Sequence, residues 1–277
     1  MRTIVVSGGT DGIGRGIADF CLRRGDTVVV VGRNAAKGEA FLTHASDRGA
    51  AARARFIRAD LSLVRDNERV VAEIRSEFPA VDALVLCAQH FRSTRLETDE
   101  GFENTFALYY LSRFLLGHGL VEVLERGENP VVVNVCAPGV ETGEIRWDDL
   151  QLRADYDGMA AIAQASRAND LLGVSFANVH GASRVRYVLF NPGGVATSFS
   201  GEYDVAMATA VERARAQATP VAEAIVPILA VLDDPPAEQV SAFARGESIP
   251  LRGKAFDASD ADRLREETLA RLTGTRR

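Results

Sequence analysis

Lysine is nearly missing from this chain: of 32 basic residues only Lys37 and Lys254 are lysines, and all the others are arginine. Any chemistry that needs a lysine in the middle of the chain is excluded. Cysteine is scarce as well. Cys21, Cys87 and Cys136 are widely spaced among apolar neighbours, which gives neither a disulfide framework nor a zinc spacing, and they read as buried thiols. Only Cys136 falls where a site could use it. His44, His90, His118 and His180 are dispersed without ligand spacing, so no metal is expected. No run approaches the roughly 18 consecutive apolar residues that a membrane span requires. The net charge of −6 argues against a nucleic-acid surface. The Arg-rich stretch Arg53 to Arg58 and the Arg276-Arg277 pair read as solvated faces. The N-terminus enters Arg2-Thr3-Ile4-Val5-Val6 without a leader and cleavage site, which makes a cytoplasmic address the expectation.

What is present is an alternation of short β-branched runs with amphipathic stretches. Thr3–Val6, Thr27–Val31, Ala54–Arg58, Ala83–Leu86, Val131–Cys136 and Val185–Phe190 are near-continuously apolar, as strands buried on both faces of a parallel sheet are. Gly12–Arg24, Ala35–Arg48, Leu63–Phe78, Gly101–Glu125 and Met159–Val179 carry helical patterns between them. Right-handed crossovers then predict an α/β fold: one doubly wound, Rossmann-type parallel sheet ordered 3-2-1-4-5-6-7, with the seventh strand near Val240–Ala244 and helices on both faces. A single domain covers residues 1–277. Within it, 138–158 is expected as a substrate-side loop on the carboxyl edge of the sheet, 198–235 as a helical lid, and 259–277 as a surface helix and tail.

The most informative stretch is Ser7-Gly8-Gly9-Thr10-Asp11-Gly12-Ile13-Gly14, which follows the first strand and opens the first helix. Gly8 permits the tight turn, Gly12 lets backbone approach a pyrophosphate, and Gly14 lets helix pack closely on strand. The helix N-terminus then offers N–H groups and a partial positive charge to phosphate.

With these residues the chain resembles the short-chain dehydrogenase/reductase family, whose glycine motif is TGxxxGxG; Ser7 keeps the hydroxyl of the leading Thr. The resemblance covers roughly residues 2 to 250, and around Gly101–Gly117 and Trp147–Leu172 it is closest to the retinol-dehydrogenase-like branch. It implies a nicotinamide dinucleotide as cofactor. After the second strand Arg33-Asn34 stands where NAD-preferring members carry an acidic residue. A guanidinium there suits a 2′-phosphate, so NADP(H) is expected over NAD(H); the plainer alternative is an Arg on an exposed turn. Asp60-Leu61 matches the family's adenine-contacting pair, Cys87-Ala88-Gln89 stands for its N-A-G, and Pro192-Gly193-Gly194-Val195-Ala196-Thr197 for PGxVxT over the carboxamide. Gln89 replaces a glycine, so its side chain must point away or intrude.

The family's chemistry, by contrast, is not matched. Its tyrosine moves the substrate proton, and a lysine four residues later lowers the tyrosine's pKa and binds the nicotinamide ribose. Ile162 to Asn169 parallels Y-x-Q-S-K-x-A-N, which puts Ile162 at the Tyr and Ser166 at the Lys. Tyr109 falls at the family's Asn, and Ala137, after Cys136, at its Ser. None of the five tyrosines is followed four residues on by lysine, so no shift of register restores the pair.

Tyr109, Cys136, Pro138, Tyr156 and Ile162 are the substrate-pocket candidates; Tyr156 reads equally as a loop residue packed over the pocket. Asp155 and Gln164 are further polar groups there. Three functions stay open. One is an atypical reductase that passes hydride to a small apolar or aromatic carbonyl, quinone or enone without a Tyr-Lys pair. The second is a redox-neutral cyclase or isomerase in the same cleft, and the third a non-catalytic NADP(H)-binding sensor or partner protein. Helices four and five, with Leu171-Leu172-Gly173-Val174, are the candidate homodimer face.

Overall fold

The computed structural model describes residues 1–275; the Arg276-Arg277 pair lies outside the described residues. The sheet is built from β1 (Thr3–Ser7), β2 (Thr27–Gly32), β3 (Ala54–Arg58), β4 (Ala83–Leu86), β5 (Val131–Val135), β6 (Arg186–Asn191), β7 (Val240–Ala244) and β8 (Glu247–Ser248). Its order is β8-β7-β6-β5-β4-β1-β2-β3. All pairs are parallel except β7 with β8, an antiparallel edge hairpin that the sequence pattern does not announce. The doubly wound order 3-2-1-4-5-6-7 is thus the observed one.

Both faces of the sheet are buried, which is why the strands show no polar alternation. Ile4, Val6, Val28 and Val30 face α1 (Gly12–Arg24) and α2 (Ala35–Asp47), with Ile17, Cys21 and Phe41 in the same cluster. Val5, Val29 and Leu84 face α3 (Val64–Glu77), α4 (104–119) and α5 (Gly158–Val179). The fourth helix is not the regular Gly101–Glu125 of the sequence pattern. It begins at Asn104–Phe106, passes through a π turn at Ala107–Leu111, and continues as Ser112–Gly119. A π turn inserts one residue and swings the side chains beyond it, a device common at functional sites.

Three expectations need correction. Within 198–235, α6 (Val205–Ala216) buries none of its residues, whereas α7 (Val226–Asp233) buries Ile228, Leu229, Val231 and Leu232 and belongs to the core. The C-terminal helix α8 (Ala258–Thr275) is not a simple surface helix. It packs along α5 through Ala261, Leu264 and Leu272, its Thr268 hydroxyl lies 2.9 Å from that of Tyr110, and Arg263 stacks 4.1 Å from the Trp147 ring. Leu171 and Leu172, offered as a dimer face, are buried within the chain. No helix of the described residues is long and apolar enough to cross a membrane.

Candidate functional site

The carboxyl ends of β1, β2, β4 and β6 open onto one cleft of about 580 Å³. At its base the chain leaves β1 through Gly8, whose φ is +69°; a Cβ there would lie 2.8 Å from the Ala88 backbone. Gly12, with φ +51°, sits where a Cβ would meet Thr197 at 2.9 Å. The first turn of α1 therefore faces the cleft as bare backbone, which fits a pyrophosphate. Of the residues assigned to the cofactor from sequence, Gly8, Thr10, Asp11, Gly12, Ile13 and Gly14 line this cavity, together with Arg33, Asn34, Asp60 and Leu61. Cys87, Ala88, Gln89, Gly193, Val195 and Thr197 complete its wall. Ser7 is buried behind it and Pro192 stands outside it. Gln89, which replaces the glycine, is exposed on the cavity wall and needs no left-handed backbone.

Much of this polarity is already engaged. The Asp11 carboxylate caps α1 by accepting from the Gly12 N–H at 2.7 Å, accepts from the Ser198 hydroxyl at 2.8 Å, and pairs with Lys37. Burial pushes its carboxyl up, but the bonds from Lys37 and Ser198 outweigh that and hold it below the usual carboxylate range. Asn34 caps α2 by accepting from the Lys37 N–H at 3.0 Å. Asp60 accepts from both the N–H and the hydroxyl of Ser62. Arg33 is exposed at the rim, its Nη2 3.5 Å from His90 Nδ1. Desolvation, then the charges of Arg33 and Arg92, push the His90 imidazole below its ordinary pKa.

Part of the cleft wall is tied together by a contact that sequence reasoning missed. Phe91–Arg92, just past β4, pairs with Gly201–Glu202 of the segment after β6. The Phe91 N–H donates to Ser200 O at 3.1 Å and the Ser93 N–H to Glu202 O at 2.9 Å; Arg92 pairs with Glu202, and the rings of Phe91 and Tyr203 stack at 5.3 Å. Phe91, Phe199, Tyr203 and Leu108 make this part aromatic and apolar. The strand pair is two residues long on each side, too short to show any period.

None of the positions matched to the family's catalytic residues lines the cleft. Tyr109, Ser166, Cys136 and Pro138 are buried, while Ala137 and Ile162 are partly buried. The Tyr156 hydroxyl is held by Thr105, Glu103 and the Arg92 carbonyl at 3.3–3.4 Å, so it packs a loop. Gln164 is likewise used up, accepting from the Arg146 N–H and donating to the Leu150 carbonyl; Asp155 is exposed on the loop.

Behind the cleft wall lies a buried polar layer centred on Arg113, which is 1% exposed. Its guanidinium donates to Asn134 Oδ1, to the Val135 carbonyl at 2.8 Å and to the Ala88 carbonyl at 3.2 Å, and its carbon lies 4.4 Å from the centre of the Tyr109 ring. Its Nε has no partner, and among the described residues no carboxylate pairs with it. Burial pushes the Tyr109 phenol up to about 12, against the Arg113 charge and a hydrogen bond with Ser166. Burial likewise raises the Cys87 thiol to about 12 and the Cys136 thiol further, so neither is a nucleophile at neutral pH. Asp170, wholly buried, accepts from the Gly139 N–H at 3.1 Å and leaves Oδ1 unpartnered; burial lifts its carboxyl to about 7. The spacing of Tyr109 and Arg113, four residues apart on one helix, was the available pointer to this layer.

Two histidines treated as dispersed do meet: His118 Nδ1 lies 2.8 Å from His180 Nε2, where α4 and α5 end side by side. Among the described residues no group of three or more His, Cys, Asp or Glu converges.

The profile of the short chain dehydrogenase family matches residues 2–147, more than half of the chain, and the chain belongs to that family, in its retinol-dehydrogenase-like branch. It is 30% identical to human polyprenol dehydrogenase over 171 residues, 60% of this chain and 52% of that protein. Human retinol dehydrogenase 14 is 26% identical over 210 residues, 71% of this chain and 62% of that one. The chain thus spans about half to two thirds of the length of these curated relatives. A short chain dehydrogenase from Burkholderia cenocepacia J2315, solved in complex with NADP, superposes with a TM-score of 0.68 at 19% identity, over 89% of this chain and 97% of that one. One from Salmonella enterica serovar Typhi gives 0.67 at 20%, over 88% and 95%. At these identities the likeness is one of fold.

Proposed function

We propose that the chain binds NADP(H) in the 580 Å³ cleft and reduces a small apolar or aromatic acceptor, a quinone or enone above all. Bound there, the dinucleotide would supply a hydride. The chain's own part is to seat it: bare backbone at Gly8, Gly12 and the first turn of α1 for the pyrophosphate, with Arg33 and Lys37 at the rim for a 2′-phosphate. The names of the relatives, polyprenol and retinol dehydrogenases, support an apolar substrate.

The reading rests on one feature of the cleft: the four positions matched to the family's proton-handling residues stand outside it, and its far end is apolar. An acceptor whose hydride adduct is a stabilised anion takes its proton from water without enzymatic help, whereas a simple ketone needs a donor. Positioning alone can contribute roughly 7–11 kcal/mol to such a transfer.

The test has two parts. Fluorescence titration with NADPH and NADH measures seating and preference. NADPH consumption with menadione, with an enone such as 2-cyclohexenone and with a simple ketone then measures transfer. Turnover of quinone or enone with none of ketone is expected; ketone turnover at comparable rate overturns the reading. The absence of the matched proton-handling positions from the cleft lining also favours a second reading, a non-catalytic NADP(H)-binding protein. Tight NADPH binding with no consumption by any acceptor would favour it.

A further inference from the structure

We propose that the cleft carries a second activity, hydrolysis of small aryl esters, with Ser200 as nucleophile, His90 as its base and Glu202 as the positioning residue behind the imidazole. The activity goes beyond the reduction read above and does not depend on dinucleotide binding. Ser200 and His90 both line the cleft, and the Ser200 hydroxyl lies 2.7 Å from His90 Nδ1. Arg33 Nη2 approaches the same nitrogen at 3.5 Å. A guanidinium only donates, so Nδ1 holds a lone pair and accepts from the hydroxyl, which places the ring proton on Nε2. Nε2 is buried without a hydrogen-bond partner and faces Glu202 Oε1 at 3.8 Å, while Arg92 holds the other carboxylate oxygen. Hydroxyl, imidazole and carboxylate thus stand in the order that activates a serine.

With one ring nitrogen engaged and the other buried, the imidazole meets a substrate only through Ser200. The serine itself is exposed, and the residue before it, Phe199, has a left-handed backbone with φ +47°. Desolvation and the charges of Arg33 and Arg92 hold the imidazole below its ordinary pKa, against the Glu202 carboxylate, so at neutral pH it is in the base form. Nδ1 takes the hydroxyl proton as Oγ bonds the acyl carbon, and the carbonyl electron pair moves onto oxygen. The nearby Arg33 guanidinium offers a cation to that oxygen. Collapse expels the phenolate, which takes the proton from the imidazolium. Water then attacks the acyl-serine and gives one proton to Nδ1, and Oγ departs with that proton, so ester and water become acid and phenol. Phe91, Phe199 and Tyr203 line the same cleft and suit an aryl leaving group.

The experiment uses the full chain without dinucleotide, so its outcome stands apart from that of the reduction assay. A fluorophosphonate, from which an attacking serine expels fluoride, should label the protein, and peptide mapping should find the label on Ser200. Hydrolysis of p-nitrophenyl acetate should rise with pH through the imidazole pKa and be level by neutral pH. Ser200→Ala, at an exposed position, should keep the thermal midpoint, lose the label and lower the rate about a hundredfold or more; His90→Gln should lower it about as much. Glu202→Gln should slow hydrolysis and move the acid limb of the pH profile to lower pH, because the carboxylate raises the imidazole pKa. No label, a label on another residue, or hydrolysis by Ser200→Ala at the wild-type rate overturns the inference. An unmoved pH profile in Glu202→Gln overturns the part given to Glu202.

Discussion

Asp170 makes the stability of this protein fall as pH rises through the weakly acid range. Its carboxyl is wholly buried on α5, accepts one hydrogen bond from Gly139, and has Arg167 only at 4.0 Å. Burial lifts its pKa from 3.8 to about 7. The folded protein therefore keeps a proton that the unfolded chain releases above about pH 4. Between those limits the unfolded state binds fewer protons, and stability declines with a slope of about 1.4 kcal/mol per pH unit from this group. Integrated between pH 5 and pH 7 the loss is about 2 kcal/mol, and over the whole range about 4 kcal/mol. Asp170→Asn keeps the acceptor for Gly139 and removes the titration. Other groups titrate alike in both proteins, so the difference between the variant and the wild type isolates Asp170. Guanidinium unfolding of both at pH 5, 6, 7 and 8 should show the variant gaining about 2 kcal/mol relative to wild type between pH 5 and pH 7, with the gain levelling off above. A difference that stays flat with pH would mean that Asp170 is ionised and paired in the folded protein, and would refute the account of this layer as desolvated.

Other expectations follow from the cleft. Gly8→Ala puts a Cβ 2.8 Å from the Ala88 backbone at a φ of +69°, so it should lower the thermal midpoint and abolish NADPH binding; unchanged binding would mean that the turn does not seat the pyrophosphate. Arg33→Glu should cost roughly tenfold to hundredfold in NADPH affinity and leave NADH binding level or improved, as read by fluorescence titration. Arg92→Ala breaks the pair with Glu202 and should speed NADPH dissociation in stopped-flow; an unchanged off-rate would show that the Phe91–Arg92 strand does not gate the cleft.

The cleft proposed for the dinucleotide was legible because its segments are local. A strand, a glycine turn and a helix follow one another within residues 3–24, and each remaining cleft segment lies at the end of a strand that its own apolar run announces. The strand order followed from the same runs and from the handedness of crossovers. What stayed hidden depends on contacts between distant segments. Phe91–Arg92 meets Gly201–Glu202 across more than a hundred residues, through strands two residues long. His118 and His180 meet only because two helices end level with each other. The segment of α8 was read as a surface helix, but not the helix that its buried side would cover. Arg113 carried no signal in the sequence; its burial depends on the Ala88 and Val135 carbonyls, which other segments bring to it.

The placement of polarity bears directly on chemistry. At the positions that the sequence matches to the family's tyrosine and serine, this chain has Ile162 and Ala137, both partly buried and neither able to move a proton, whereas Tyr109, Ser166, Arg113 and Asp170 are buried. A buried group that does not meet the substrate cannot transfer a proton to it, but a fixed positive charge in a low-dielectric layer still stabilises negative charge developing nearby. Such an arrangement favours reactions in which hydride arrival creates a delocalised anion, and disfavours those that stall without a proton donor. The same layer makes the reverse reaction harder, since oxidation of an alcohol begins with removal of its proton and a phenol held near 12 is a poor base. The proposed reduction of quinones or enones, with little alcohol oxidation in return, agrees with this distribution of charge.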